Sequence, residues 1–92
     1  MQRSMVIFDQ IEIRNNLFLR HFNYSLTQNE LKWHKDNDNR LIYSLLPTNW
    51  CIQLDNEFPI RITQDPIFIT MHVFHRLISD NKKDLFLYVK RI

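Results

Sequence analysis

Short runs of apolar residues, separated by polar breaks, follow the chain from about residue 31 onward. Strands are predicted over residues 31–34, 41–46, 50–55, 60–62, 67–70, 75–78 and 85–90. Turn-forming clusters such as Asn37-Asp38-Asn39 separate these runs, and short strands with polar breaks are typical of a small sandwich or barrel. Because the connections are too short for parallel crossovers, we expect antiparallel sheets.

The N-terminal part has a different spacing. Asp9 and Glu12 resemble a capping box, and the apolar residues around them follow at helical intervals, namely Ile11, Ile13, Leu17, Phe18 and Phe22. This spacing predicts an amphipathic helix over residues 10–21, within a helical segment of about residues 9–22. Residues 1–7 are either a short strand or an ordered tail. We therefore expect one domain over residues 1–92, with a helix before a β-barrel over residues 30–90.

The composition narrows the possible functions. The 92 residues include no glycine and no alanine, so glycine-rich phosphate loops and dinucleotide fingerprints are excluded. Nine asparagines remain to supply turns with positive φ, because asparagine tolerates that conformation better than most residues. So short a chain buries a limited share of its surface, yet it carries seven Phe, two Trp and three Tyr. A homodimer is therefore expected.

Charge and targeting features indicate neither a nucleic-acid partner nor a membrane partner. The net charge of +2 is too small to indicate a nucleic-acid partner. No signal-peptide core and no run near 18 apolar residues occurs, so we expect no membrane partner and a cytoplasmic location. Cys51, the single cysteine, has no partner for an intramolecular disulfide. The residue usage, rich in Asn, Ile and Lys, is compatible with the AT-rich genome of a phage or of an intracellular bacterium.

The densest polar cluster suggests a metal site. In a strand, alternate residues share a face, so His34 and Asp36 would point the same way. His75, after the apolar run at residues 67–69, is the best candidate for a third ligand. Two histidines and one carboxylate form the facial triad that holds non-haem iron with open positions. The predicted cofactor is therefore a divalent metal, with iron or manganese favoured.

These residues resemble the motifs of a small single-domain cupin, a double-stranded β-helix. The His-x-His of the first cupin motif falls on His34 and Asp36. The second motif, anchored on His75, places Gln64 and His72 at its two glycines. The glutamate that follows the first two ligands in metal-binding cupins would fall at Arg40 or Leu41. The resemblance implies a mainly β, antiparallel cupin-like barrel over about residues 30–90, with the metal held by His34, Asp36 and His75.

Two functions remain open. In the first, the protein binds a divalent metal and is a small metal-dependent enzyme acting on a small molecule. In the second, it is a non-enzymatic module that binds a small molecule or a protein, with Asp36 acting as a turn residue and both histidines as ordinary polar groups. Arg40, Gln53 and Trp50 are the candidate ligand-binding residues. Arg76 is a poor candidate for an anion contact, since it follows His75 and would face the other side of a strand.

Overall fold

The fold is given by a computed structural model, which describes residues 8–25 and 31–92. The prediction for residues 1–7 lies outside the described residues. These described residues contain eight strands: β1 Phe8–Arg14, β2 Leu17–Phe22, β3 Arg40–Tyr43, β4 Cys51–Leu54, β5 Ile60–Arg61, β6 Ile67–Ile69, β7 His75–Ile78 and β8 Leu85–Arg91. Within the two described ranges, no helix has the length and hydropathy needed to span a membrane.

The strands form two sheets in which every pairing is antiparallel. The larger sheet has the order β1-β2-β8-β3-β6, and the smaller one has the order β5-β4-β7. The prediction of a mainly β, antiparallel barrel is thus confirmed. Six of the predicted strands correspond to β3–β8; β7 has the predicted bounds, and the ends of the other five are shifted. The seventh, over residues 31–34, is reduced to one isolated bridge between His34 and His75.

The predicted N-terminal helix is wrong. Residues 10–21 belong instead to the hairpin of β1 and β2, which turns at residues 15–16. The same apolar spacing also fits strands, because Ile11 and Ile13 alternate with polar neighbours. Backbone pairing with β8 then decides the conformation, since β2 is hydrogen-bonded to a strand on each side. Asn16, with φ of 63°, shows how the chain reverses here without glycine.

The core lies between the two sheets. Its fully buried members come from both of them, and the buried set is Phe18, Phe22, Leu31, Ile42, Trp50, Ile52, Ile62, Ile69, Leu77, Leu85, Leu87 and Val89. Inward-facing residues alternate with outward-facing ones, as in β8, where Leu85, Leu87 and Val89 are buried. The space between the sheets is not filled completely, and the remaining cavity opens near the His34–His75 bridge.

Candidate metal centre and its cavity

His34, Asp36 and His75, the three predicted metal ligands, lie together at one end of the barrel. One potential ligand atom from each lies within 4.8 Å of the other two. His75 begins β7 and is buried, Asp36 is partly buried, and His34 is exposed. The His34 and His75 backbones exchange two hydrogen bonds, of 3.0 and 2.8 Å. This bridge fixes the two imidazoles beside each other, with ring centroids 4.4 Å apart.

Both histidines are oriented by backbone carbonyls. The Nδ1 atom of His34 is 2.9 Å from the carbonyl oxygen of Lys32, and that of His75 is 2.9 Å from the oxygen of Val73. A carbonyl oxygen only accepts, so each Nδ1 atom must carry the proton and donate it. The Nε2 atom of each neutral ring is then left with a lone pair. Orientation of this kind is what metal-ligating histidines commonly show.

Asp36 faces these lone pairs with an oxygen that has no hydrogen-bond partner among the described residues. Its Oδ2 atom is buried, is 3.2 Å from His75 Nε2, and is 3.4 Å from Arg40 Nη1. The distance to Arg40 is within ion-pair range, but the geometry gives no hydrogen bond. Two unprotonated acceptors that face each other repel unless a cation lies nearby. The donor set and the unpartnered oxygen therefore fit a divalent metal ion.

Protonation of His75 is a less favourable way to supply the positive charge that is needed beside Asp36. Burial lowers the pKa of His75 below its ordinary value of 6.5, and the nearby His34 and Arg40 also lower it. The hydrogen bond with the Val73 backbone and the charge of Asp36 act in the opposite direction. Because burial is the largest of these effects, the neutral imidazole, which is the ligating form, is favoured.

The loop that carries Asp36 is held by its neighbours. His72 donates its backbone N–H to the Asp36 carbonyl at 2.9 Å, and its φ is 69°. Position 72 is one of the two positions at which the second cupin motif has glycine. His72 has the positive φ that glycine accommodates most easily. The other position, Gln64, is not among the residues with positive φ. Of the asparagines, Asn16, Asn56 and Asn81 have positive φ.

Arg40, a predicted ligand-binding residue, lines the cavity and pairs with two carboxylates. Its Nε atom donates to Asp38 Oδ1 at 2.7 Å, in addition to the contact with Asp36. This pairing neutralises much of its charge. Arg40 therefore contacts both carboxylates of the loop that carries Asp36.

The other two predicted ligand-binding residues lie elsewhere. Trp50 is completely buried, and its indole N–H donates to the Lys83 carbonyl at 2.7 Å. Gln53 bonds to Arg76 and to the backbone of Glu57. Neither residue lines the cavity around the candidate metal centre. Their predicted role in ligand binding stays a prediction.

The cavity beside the three ligands has a volume of about 230 Å³. Most of its wall is apolar and comes from both sheets; the lining residues are Phe8, Arg20, Phe22, Leu31, Lys32, His34, Asp36, Arg40, Ile42, Ile52, Ile69, His75, Leu77, Leu87 and Val89. Sequence reasoning missed Phe8 and Arg20, because it placed the first strands in a helix. The clue was present in the alternation of β2, where Arg20 stands between the buried Phe18 and Phe22.

Comparisons with known proteins agree with this architecture. No protein-family model matches the chain, and no curated protein matches it in sequence. Solved structures do match in fold. An RmlC-like cupin family protein with a double-stranded β-helix fold, from Methanocaldococcus jannaschii, has a TM-score of 0.61 and 14% identity, over 99% of this chain and 85% of its own. A cupin protein from Bacteroides fragilis has a TM-score of 0.61 and 13% identity, over 100% of this chain and 82% of its own.

The iron(II) form of HppE is also similar, with a TM-score of 0.62 and 12% identity over 83% of this chain. The present chain spans only 41% of the HppE chain. At these identities the likeness concerns the fold. The chain therefore has the cupin fold, as the resemblance of its motifs implied.

Proposed function

We propose that the protein binds a divalent metal through His34, Asp36 and His75, and that it is a small metal-dependent enzyme acting on a small molecule. One observation carries this proposal: within the part of the chain that the structure describes, the buried Asp36 Oδ2 has no hydrogen-bond partner, and it lies 3.2 Å from the unprotonated Nε2 of His75. Iron(II) or manganese(II) is the favoured metal, because two imidazoles and one carboxylate suit these ions and leave positions open. A metal so held supplies Lewis acidity or oxygen activation.

The residues of the chain prepare the site for that chemistry. The carbonyl oxygens of Lys32 and Val73 keep both imidazoles in the ligating tautomer. Arg40 lies within ion-pair distance of the Asp36 carboxylate, while its own Nε is bonded to Asp38. The apolar walls of the cavity lower the local dielectric and so strengthen charge interactions beside them. A small substrate in this cavity would contact both the ligands and the apolar wall.

A second candidate function retains the cavity without the metal. The Nη1 atom of Arg40 lies 3.4 Å from Asp36 Oδ2 and supplies a positive charge by itself. In that case the protein is a non-enzymatic module that binds a small molecule or a protein, which is the second interpretation of the sequence. The two candidates differ in one measurable property, the metal content of the purified protein.

Elemental analysis of protein purified without an affinity tag separates the two candidates. For the metal candidate we expect near-stoichiometric iron or manganese in the wild type and its loss in both His34→Ala and His75→Ala. His72→Asn is the matched control, because it removes a nearby exposed imidazole and retains a residue that tolerates positive φ. Absence of metal under every loading condition would reject the metal proposal and favour the second candidate.

We also propose that the protein forms a homodimer through the outer face of its larger sheet. Ile11, Leu19, Tyr88 and Tyr43 lie side by side across four strands on that face, and Ile11 is 62% exposed. The stacked rings of Tyr43 and Tyr88 extend the apolar row. Leu19→Lys should lower the mass measured by light scattering to that of a monomer. Ile60→Lys, on the smaller sheet, is the control.

The cytoplasmic location, the phage origin and the absence of a nucleic-acid partner stay predictions from the sequence.

A further inference from the structure

We infer that Arg20 anchors a small organic anion, an oxyanion group such as a carboxylate or phosphonate on an apolar body, in the cavity between the sheets. The inference rests on the proposed function in one respect, because the anion would share its cavity with the metal. Anion binding itself requires only the guanidinium and the cavity. Four observations carry it: the placement of Arg20, its unused donors, the charge of the cavity and its size.

The placement of Arg20 is unusual for an arginine. In β2 it stands between Phe18 and Phe22, both buried, so its side chain points inward with theirs. Gln10, directly opposite on β1, accepts a hydrogen bond from Arg20 Nε at 2.6 Å. The Phe8 ring lies 4.4 Å from the guanidinium carbon. The guanidinium is therefore fixed in orientation, as a preformed binding group must be.

The outer donors of that guanidinium are not used. Among the described residues, no hydrogen bond or ion pair engages Nη1 or Nη2 of Arg20. Arg40 and Arg91, by contrast, both contact Asp38. Burial, followed by the positive charge of Arg40, lowers the pKa of Arg20 to about 10, although Asp36 and Asp38 act in the opposite direction. An inward charge that no carboxylate of residues 8–25 and 31–92 pairs with indicates that an anion completes the site.

The cavity has a net positive lining. Arg20, Lys32 and Arg40 line it with positive charge, and because Arg40 is paired with Asp36 and Asp38, the positive charge that remains comes from Arg20 and Lys32. A divalent metal would increase that positive charge. A guanidinium binds a carboxylate or a phosphonate through two parallel hydrogen bonds, and the low dielectric of the apolar walls strengthens the attraction. The electrostatics therefore select an anion over a neutral molecule.

The size and the walls of the cavity limit the rest of the ligand. A volume of about 230 Å³ is below the roughly 300–1,000 Å³ of pockets for drug-sized ligands. Ile42, Leu77 and Leu87 line it, together with aromatic rings. The body of the ligand is therefore small and apolar, and its charged end faces Arg20.

The test is calorimetric titration of the full chain, metal-free and metal-loaded, with benzoate and phenylphosphonate, and with benzamide as the neutral analogue of benzoate. We expect at least one of the two anions to bind in both metal states, and benzamide to bind at least tenfold more weakly than benzoate. The relative affinity of the two anions identifies the preferred oxyanion group.

Arg20→Gln should weaken binding of the anion at least tenfold. Arg20→Lys keeps the positive charge but lacks the planar guanidinium, so its affinity for the anion should lie between those of the wild type and Arg20→Gln. Arg14→Gln, an exposed arginine at the end of β1, is the control and should bind as the wild type does.

Equal binding by wild type and Arg20→Gln, equal binding of benzamide and benzoate, or no binding of either anion would overturn the inference. Far-ultraviolet circular dichroism and the melting temperature confirm that each variant is folded. The outcome is separable from the metal proposal. Binding of an anion that depends on Arg20 in a protein that never holds metal would keep the inference and reject the metal. Stoichiometric metal, together with anion binding that is unchanged in Arg20→Gln, would support the metal proposal and overturn the inference.

Discussion

The Nε2 atom of His75 and the Oδ2 atom of Asp36 lie 3.2 Å apart, while the other ring nitrogen of His75 donates to the Val73 carbonyl. With a neutral imidazole, a lone pair and a carboxylate oxygen face each other. That arrangement is stable only when a positive charge lies nearby. Arg40 provides part of this charge from 3.4 Å, and a bound metal would provide the remainder.

Metal should therefore stabilise the folded protein. At a manganese(II) concentration about 100 times the dissociation constant, the free energy of unfolding should rise by about 2.7 kcal/mol. For a domain of this size, that corresponds to an increase in Tm of roughly 10 °C or more. Differential scanning calorimetry with and without manganese measures the shift.

The Asp36→Asn variant should lose most of this stabilisation, since an amide oxygen is a much weaker ligand for a divalent cation. Asp65→Asn, at an exposed position away from the three ligands, should retain all of it. An undiminished shift in Asp36→Asn would show that the metal binds elsewhere.

Replacement by methionine should change the free energy of unfolding in opposite directions at Arg20 and Arg40. Arg40→Met leaves Asp36 and Asp38 without their shared cation in a partly buried place. It should lower the free energy of unfolding by about 2–4 kcal/mol. Arg20→Met removes an uncompensated inward charge. It should change stability by no more than about 1 kcal/mol, and in the favourable direction.

Urea unfolding of both variants without metal or anion measures the contrast. A large loss in Arg20→Met would indicate that Arg20 is needed for the packing of β1 on β2, which is not expected of a ligand-binding group.

His72 should tolerate glycine but not a β-branched residue. Its φ of 69° is disfavoured for any side chain, and most of all for a β-branched one. The His72→Val variant should therefore have a free energy of unfolding at least about 1 kcal/mol below that of His72→Gly. Gln64→Gly is the control at the second motif position, where φ is not positive. It should destabilise the protein by about 0.5–1 kcal/mol.

Chemical denaturation gives these differences. If His72→Gly were as destabilising as His72→Val, the imidazole itself would contribute to stability, and backbone conformation would not explain its position.

Asp84 should make the protein less stable in acid. The hydrogen bond from the Tyr24 backbone, followed by that with His21, holds the pKa of Asp84 below its ordinary value of 3.8. A carboxyl group whose folded pKa is depressed contributes stability above its unfolded pKa, and this is lost as the pH falls through the folded pKa. Asp84→Asn should therefore lower stability at pH 7 by about 0.5–1 kcal/mol.

The difference between wild type and Asp84→Asn should be complete above about pH 5 and shrink steadily below about pH 4. Urea unfolding at several pH values measures it. A difference that stays constant down to about pH 2 would show that shape, and not charge, is what Asp84 contributes.

The sequence by itself determined most of the barrel and the metal-ligand candidates. From β3 to β8, apolar runs and polar breaks coincide with strands and turns, because short antiparallel strands bury alternate residues and end at turn formers. His34 and Asp36 are two residues apart, and the second cupin motif selects His75. The structure brings these three residues within 4.8 Å.

Only the tertiary structure decided the N-terminal hairpin and the wall of the cavity. The apolar residues of β1 and β2 fit both a helix and two strands, and pairing of β2 with β8 resolves the choice. With that pairing, Arg20 turns inward, where a helix would have left it on the polar face. Which residues meet across a barrel depends on contacts between strands far apart in sequence, and local periodicity does not contain that information.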